Sequence, residues 1–587
     1  MIELGRQPGR NDWPGRSTAG GRRELLISFT DPDAVRLDVD GGVWLVAGLG
    51  TPQQNELVRA EADPRVGERV ARENRDALIV LITVGESTDT RIDAWRGLLC
   101  GAELMYARLG DGSLVMSDHF RNVVSYLPPR DRSPGPDQLI EHYVCGWVYD
   151  RNTYTSAVKR LAVGDHFWTE LEVDQPGLEV FDRFTVTKSD DPIADVIESV
   201  EAALEASMAP LRGDPDVAMS FSGGVDSTLL ATFLDVGNPL LTMMPDTPEF
   251  AAEGEYAQVA AGLLGRKLTP VKMVEAAYVD LLEETIDRLA MPPHHYVMPA
   301  LAGIYGSAQT TFVLGEGADT VFGSGRGMQR VSGALSSAPT RLALKTLERA
   351  PGTIGRRAGQ IRSYANEYAE AADSLQGSVG RSLVFGDVEA IEDMVGEPAV
   401  NRVLAGHMEA LAARAEPEIA PSHSFFRHVE MRQLRHTIAD LATLDRHLAQ
   451  PEGKRIVMPF VDPGVVAALL RVPARRRYIK GLTGKWILKR ILSARLPEYP
   501  VNQRKLATGL PFGRYYKSGP LAGIWDRYDV PGFVESIRDD IVAEPSAVTW
   551  NALTHAVWSE RIERDAALEP ISAALTYRTD GVLPSDA

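Results

Sequence analysis

The stretch Phe221–Thr228, FSGGVDST, decides how the rest of the chain reads. It lies between a short apolar run, DVAMSF (216–221), and a longer one, STLLATFL (227–234). A strand that ends in Ser-Gly-Gly and turns straight into a helix leaves the first backbone N–H groups unpaired at the helix's positive end, which favours an anion. Gly223 and Gly224 let the backbone approach that anion closely. Ser222, Ser227 and Thr228 add hydroxyl donors, and Val225 adds its place in the turn. Asp226 would repel a phosphate unless a divalent ion lies between them, and Mg2+ is commonly held by one or two carboxylates together with phosphate oxygens. The stretch has no Gly-Lys-Ser/Thr ending, so it is not a Walker-type loop.

Outward from this turn, strand, glycine turn and helix alternate. PLLTMM (239–244) reads as a second strand, EYAQVAAGLLG (255–265) as a helix, and TTFVLGEGADTVFG (310–323) as a strand ending in glycines. This alternation predicts a parallel sheet with helices on both faces. The C-terminal ends of parallel strands share one edge, so the second glycine turn can face the first. It brings Leu314 and Gly315, a candidate base in Glu316, and in Asp319 a second candidate Mg2+ ligand. Upstream, TKSDDP (187–192) marks a break, with Asp191 expected to cap a helix whose face carries Ile193, Ile197, Val200 and Leu204. From Glu24 to Phe184 short apolar runs alternate with turn signals, including a hairpin around GDGS (110–113). Beyond residue 340 the pattern is mostly helical. The expected division is a mobile arm over 1–22, a β-rich sandwich over 23–186, and a doubly wound parallel-sheet unit with a helical C-terminal part over 187–587. The fold class is therefore α/β.

Composition bounds the function. The 587 residues exceed what one hydrophobic core serves. A net charge of −18 gives no broad claim on nucleic acid or anionic lipid. Arg475, Arg476 and Arg477 read as a solvated helix end or loop. The two cysteines, Cys100 and Cys145, exclude a disulfide framework and a cysteine-rich zinc site, and they fit a reducing, cytoplasmic setting. No stretch reads as a signal peptide. The longest apolar run, ALIVLITV (77–84), is a strand and not a membrane span. His294 and His295 read as packing residues.

The order Ser-Gly-Gly-Val-Asp-Ser resembles the pyrophosphate-binding (PP) loop of ATP pyrophosphatases. With LGEGADTVFG (314–323) it resembles the synthetase domain of the asparagine synthetase superfamily. TLDR (443–446), MPFVD (458–462) and GKWILKRILSARLPEYPVNQRKLATGLPFG (484–513) resemble later motifs of that family in the family's order. The resemblance spans about 190 to 515. It implies ATP and Mg2+ as cofactors, with Asp226 and Asp319 on the metal and adenine near Leu241 to Met243. A carboxylate substrate would attack the α-phosphate, giving an acyl-adenylate and pyrophosphate, and an amine would then expel AMP. Lys505 would place positive charge on the reacting centre, and Glu316 would take the amine's proton. Thr320 replaces the family's second acidic residue, and Arg455 and Val457 stand where it carries Glu and Arg, so the acceptor pocket is altered.

LMYARLGDGSLVMSDHFRNVVSYLP (104–128) and TYTSAVKRLAVGDHFWTE (153–170) resemble later strands of the glutaminase domain found in such enzymes, an N-terminal-nucleophile (Ntn) sandwich. Its cysteine nucleophile has no counterpart, since Ile2 stands at that place, so a degenerate domain without glutaminase activity is expected. Three enzyme readings follow: a lasso-peptide-type cyclase forming a macrolactam, a β-lactam synthetase, and a ligase or amidotransferase for small acids and amines in natural-product synthesis. The first is preferred for its combination of an inactive front domain, extra length and altered pocket. β-Lactam synthetases resemble this chain in lacking the cysteine, but they carry Tyr where Glu316 stands, which counts against the second reading. A non-catalytic scaffold would have no need to keep Ser222–Ser227, Glu316, Asp319 and Lys505. Nucleic acid and membrane are not expected partners, and a homodimer is compatible with the reading.

Overall fold

The computed structural model describes residues 23–84, 90–184, 189, 191–323, 338–352, 354–355, 358–359, 361–362, 388–413, 442–480, 483–502 and 510–579. Strand Leu78–Val84 shows how the first half is built. Leu78, Val80 and Ile82 enter one apolar cluster, while Ile79 and Leu81 enter another on the opposite face. Successive strand residues point to opposite faces, so a strand buried on both sides reads as an unbroken apolar run. This strand belongs to a six-stranded antiparallel sheet, in the order Gly177–Val180, Asp165–Glu170, Thr90–Arg96, Leu78–Val84, Gly42–Ala47, Val35–Val39. A second sheet stacks on it through Leu25, Ile27, Phe29, Leu114 and Met116. Its order is Leu575–Arg578, Leu25–Phe29, Leu114–Ser117, Met105–Arg108, Lys159–Arg160. Helices Thr51–Arg59 and Pro64–Glu73 cover the outer face of the first sheet through Leu57, Val70 and Ala71. Helices Phe120–Val124 and Pro136–Cys145 share the main core with the outward residues of the second, Leu26, Met105 and Val115. The expected hairpin at GDGS is present, joining antiparallel strands Met105–Arg108 and Leu114–Ser117.

One strand crosses the division drawn at residue 187. Leu575–Arg578 runs antiparallel to Leu25–Phe29 and completes the front sheet, so the far end of the chain is built into the first unit. It covers an edge that would otherwise offer unpaired backbone groups to solvent.

The second unit is organised by five parallel strands: β1 (Val217–Ser220), β2 (Leu240–Pro245), β3 (Leu268–Met273), β4 (Thr311–Val313) and β5 (Arg455–Val457). Their spatial order is β3-β2-β1-β4-β5. The chain winds outward from β1 to β3 and then returns to the other side of β1. The direction of winding therefore reverses between β1 and β4, and ligands of such sheets bind where it reverses. Helix Ile193–Met208 buries Val196, Val200, Leu204 and Met208, an i, i+4 stripe along one face. The cap differs from expectation: the helix starts after Pro192 with no side-chain cap, and Asp191 approaches Arg471 at 4.0 Å instead. The arginine cluster also differs. Arg477 is fully buried, donating to the Leu469 carbonyl at 2.8 Å and stacking on the Tyr478 ring. Its guanidinium finds a carbonyl and a π-face inside, which offsets the loss of water.

Among the described residues no helix is long and apolar enough to cross a membrane.

Candidate active site

At the end of β1 the chain passes through Phe221, Ser222, Gly223 and Gly224 into α1 (Val225–Ala231). Gly223 has φ +72°, and a Cβ there would lie 2.6 Å from the Cα of Ala257 on the facing helix, so only glycine fits. Its carbonyl is held by two hydroxyls, Tyr499 at 2.8 Å and Thr228 at 3.1 Å. Tyr499 in turn meets the Tyr256 hydroxyl at 2.8 Å. Ser222 and Ser227 share a hydrogen bond of 3.3 Å across the turn. The first intrahelical bond is Thr228 N–H to the Gly224 carbonyl at 2.9 Å, so the amides of Val225, Asp226 and Ser227 precede it at the helix's positive end. Every residue of the predicted loop thus lies in one tight turn.

The second turn follows β4. Leu314 is buried, its N–H donating to the Val457 carbonyl at 2.9 Å, and Gly315 leads to Glu316, Gly317 and α2 (Ala318–Phe322). Gly317 has φ +87°, and a Cβ there would lie 2.6 Å from Val461 in the MPFVD segment. The same construction at Gly315 finds Ser227 N at 3.6 Å and Asp226 Cβ at 3.7 Å, so the two turns lie side by side with room between them for little more than a methyl group.

Their carboxylates converge on one cation. Lys485, the residue before α3 (Trp486–Arg495), places Nζ 2.7 Å from Asp226 Oδ2 and 2.9 Å from Asp319 Oδ1. Burial alone would pull the ammonium's pKa down, but the two carboxylates outweigh it and hold Lys485 charged. The other oxygen of Asp226, Oδ1, is buried with no hydrogen-bond partner among the described residues, whereas Asp319 is 64% exposed. No group of three or more metal-ligating side chains exists among the described residues. The donor set therefore fits an ion that takes most of its ligands from a bound phosphate chain or water, as Mg2+ does.

Glu316 sits on the exposed lip of the second turn. Behind it lies Asp445 of the TLDR motif, buried on helix Ala442–Ala449, with Oδ1 accepting from the Tyr305 hydroxyl at 2.8 Å. Burial, reinforced by the charge of Glu316 and opposed by the Tyr305 hydrogen bond, pushes the Asp445 carboxyl up to about 7. The neighbouring Arg446 points the other way, to Asp31 of the front unit at 3.2 Å. Arg455 is likewise committed to the front unit, pairing with Asp33 at 2.8 Å.

Leu241 and Met243 lie inside β2, which runs on to Pro245. Leu241 is buried and its carbonyl already accepts from the Phe221 N–H at 2.7 Å. The pairing with β1 ends at Leu241, so Met243 lies on the part of β2 that runs past the end of β1. Lys505 lies outside the described residues. Sequence reasoning missed Lys485, Tyr499 and Tyr305. The first two stand within the lysine-rich segment already matched to the family, which was the available signal.

The fold and these two turns define a protein built around a parallel sheet with a carboxylate-flanked crevice at its switch point. Residues 199–529 match the family described as Asparagine synthase, and with that match over more than half its length the chain belongs to that family. It is 25% identical over 405 residues to a Mycobacterium bovis protein provisionally named asparagine synthetase (glutamine-hydrolyzing). The same figures hold for identically named proteins from two strains of Mycobacterium tuberculosis. The match takes in 65% of this chain and 59% of theirs, so it spans about three-fifths of the length of these curated relatives.

Proposed function

We propose that the protein is an ATP-dependent amide ligase that activates a carboxylate as its adenylate, releasing pyrophosphate, and passes the acyl group to an amine, releasing AMP. The observation that carries this reading is the close approach of the two glycine turns at the switch point, with Asp226 and Asp319 sharing one cation. In this reading the amides of Val225, Asp226 and Ser227 and the hydroxyls of Ser222 and Ser227 bind the β- and γ-phosphates, where charge accumulates as the α–β bond breaks. Asp226 and Asp319 would hold Mg2+, whose chemistry is to neutralise that charge. Glu316 accepts the proton lost by the attacking amine. Asp445, held close to neutrality by burial, spares it a second full negative charge nearby. Lys505 is assigned the acyl centre by the family resemblance.

The amine in this reading does not come from glutamine. The front strand is entered through Glu24 and Leu25, and Cys100 and Cys145 are both fully buried. The Cys100 thiol is pushed up to about 11, chiefly by burial, so little thiolate forms near neutral pH. At the start of the front strand, Glu24 N–H is an ordinary peptide nitrogen donating to Ser113 Oγ at 3.0 Å. The motif before MPFVD also departs from the family's, with Arg455 and Val457 where it carries Glu and Arg, and Arg455 pairs with Asp33 at 2.8 Å. These features favour a substrate that carries its own amine, a peptide whose Asp or Glu side chain is adenylated and whose N-terminal amine closes a macrolactam. Mass spectrometry of candidate precursor peptides incubated with protein, ATP and Mg2+ tests this. The expected product has lost one water and appears with AMP. Ammonia formed from glutamine alone would overturn the reading of the front unit.

A further inference from the structure

Lys485 is held in a conformation that its own side chain does not favour. Its φ of 51° and ψ of 34° place a lysine in the left-handed region at the start of a helix. The side chain is only 12% exposed, and its ammonium is fixed between two carboxylates from separate turns. An ammonium is a compact point charge with three donors, suited to bridging two carboxylates at once. Without a cation between them, Asp226 and Asp319 would repel one another and part. Yet Asp226 keeps a second, buried oxygen with no partner among the described residues, so the ammonium leaves that carboxylate incompletely satisfied.

We infer that Lys485 is a resident cation that holds Asp226 and Asp319 together in the nucleotide-free protein and so makes metal entry depend on nucleotide. An ion arriving alone meets a pair of carboxylates whose charge is already half cancelled by the ammonium. An ion arriving on a triphosphate would bring phosphate oxygens able to take over the ammonium's contacts, which would leave Asp226 and Asp319 to the ion. Lys485 acts here as a positioning residue. The inference rests on the reading of the two turns as a metal–triphosphate site.

The test is a Mn2+ titration of the nucleotide-free protein, followed by the electron paramagnetic resonance of free Mn2+. Lys485→Met should bind Mn2+ at least about tenfold more tightly than wild type, because a unit charge a few ångströms from the ion is worth that much or more at the dielectric of a half-buried site. Lys485→Arg, which keeps the charge, should bind as weakly as wild type. Adding Asp319→Asn to Lys485→Met should abolish the gain, which separates a freed carboxylate pair from general loosening. With a non-hydrolysable ATP analogue present, wild type should gain much more Mn2+ affinity than Lys485→Met. Nucleotide-free Lys485→Met binding Mn2+ no more tightly than wild type would overturn the inference, as would equal gains in the Met and Arg variants. Formation of ADP instead of AMP by wild type would instead sink the ligase reading and leave the Mn2+ result standing.

Discussion

Replacing Asp445 by Asn removes a buried acid while keeping an oxygen for the Tyr305 hydroxyl, which now donates to it at 2.8 Å. The carboxyl titrates near 7 in the folded protein against 3.8 for the free group, raised by burial and then by Glu316. The fold therefore binds a proton that the unfolded chain releases. This contribution to stability is fully present below about pH 4 and is lost as pH rises through 7. At about 1.4 kcal/mol per pH unit the loss amounts to on the order of 4 kcal/mol at most. The Asn variant has no such loss. Buried Asp118, also pushed up to about 7, weakens both proteins in the same window and cancels from the difference. Urea unfolding at pH 4.5, 6 and 8 should show the variant near wild type at the lowest pH and progressively more stable above it, by about 2 to 4 kcal/mol at pH 8. Parallel pH profiles, or a variant less stable at pH 8, would refute the assignment of a largely neutral buried Asp445.

Gly223→Ala should cost about 2 to 4 kcal/mol and abolish turnover, because the new methyl needs both a left-handed φ and the space of the Ala257 backbone. Thermal unfolding checks it, with Gly315→Ala, whose methyl meets only ordinary contacts, as the comparison. Arg446→Met should destabilise the protein by about 1 to 3 kcal/mol, since it leaves the buried Asp31 without the cation at 3.2 Å, and a denaturant midpoint reads it. Lys505→Ala should lower turnover far more than ATP affinity if its charge is needed mainly in the transition state, and an effect confined to KM for ATP would reject that role.

What could be read from the sequence was what is local. The turn at Ser222–Ser227 and the turn at Gly315–Asp319 each need a few consecutive residues, and each carries its own steric signature in glycine. The alternation around them gave the parallel sheet, and the sheet's shared edge brought the turns together. Long-range charge could not be read. Lys485 meets Asp226 across 259 residues, with no periodicity linking them. Strand Leu575–Arg578 has four residues and little pattern, and its place beside Leu25–Phe29 is set by an edge that needed covering. Arg477 was misplaced because charge was taken to mean solvent, whereas a carbonyl and a tyrosine ring supply what water would. The apolar run PLLTMM was legible as β2 to within a residue at each end, since the strand is Leu240–Pro245.

The most direct measurement is the identity of the products when wild-type protein turns over ATP labelled at both the α- and γ-phosphates in the presence of an accepted acid. Cleavage between α and β should yield labelled AMP and labelled pyrophosphate in equal amounts, and Asp226→Asn and Asp319→Asn should each abolish both. Labelled ADP with free phosphate, or undiminished AMP release from either variant, would contradict a crevice in which the two glycine turns grip one triphosphate.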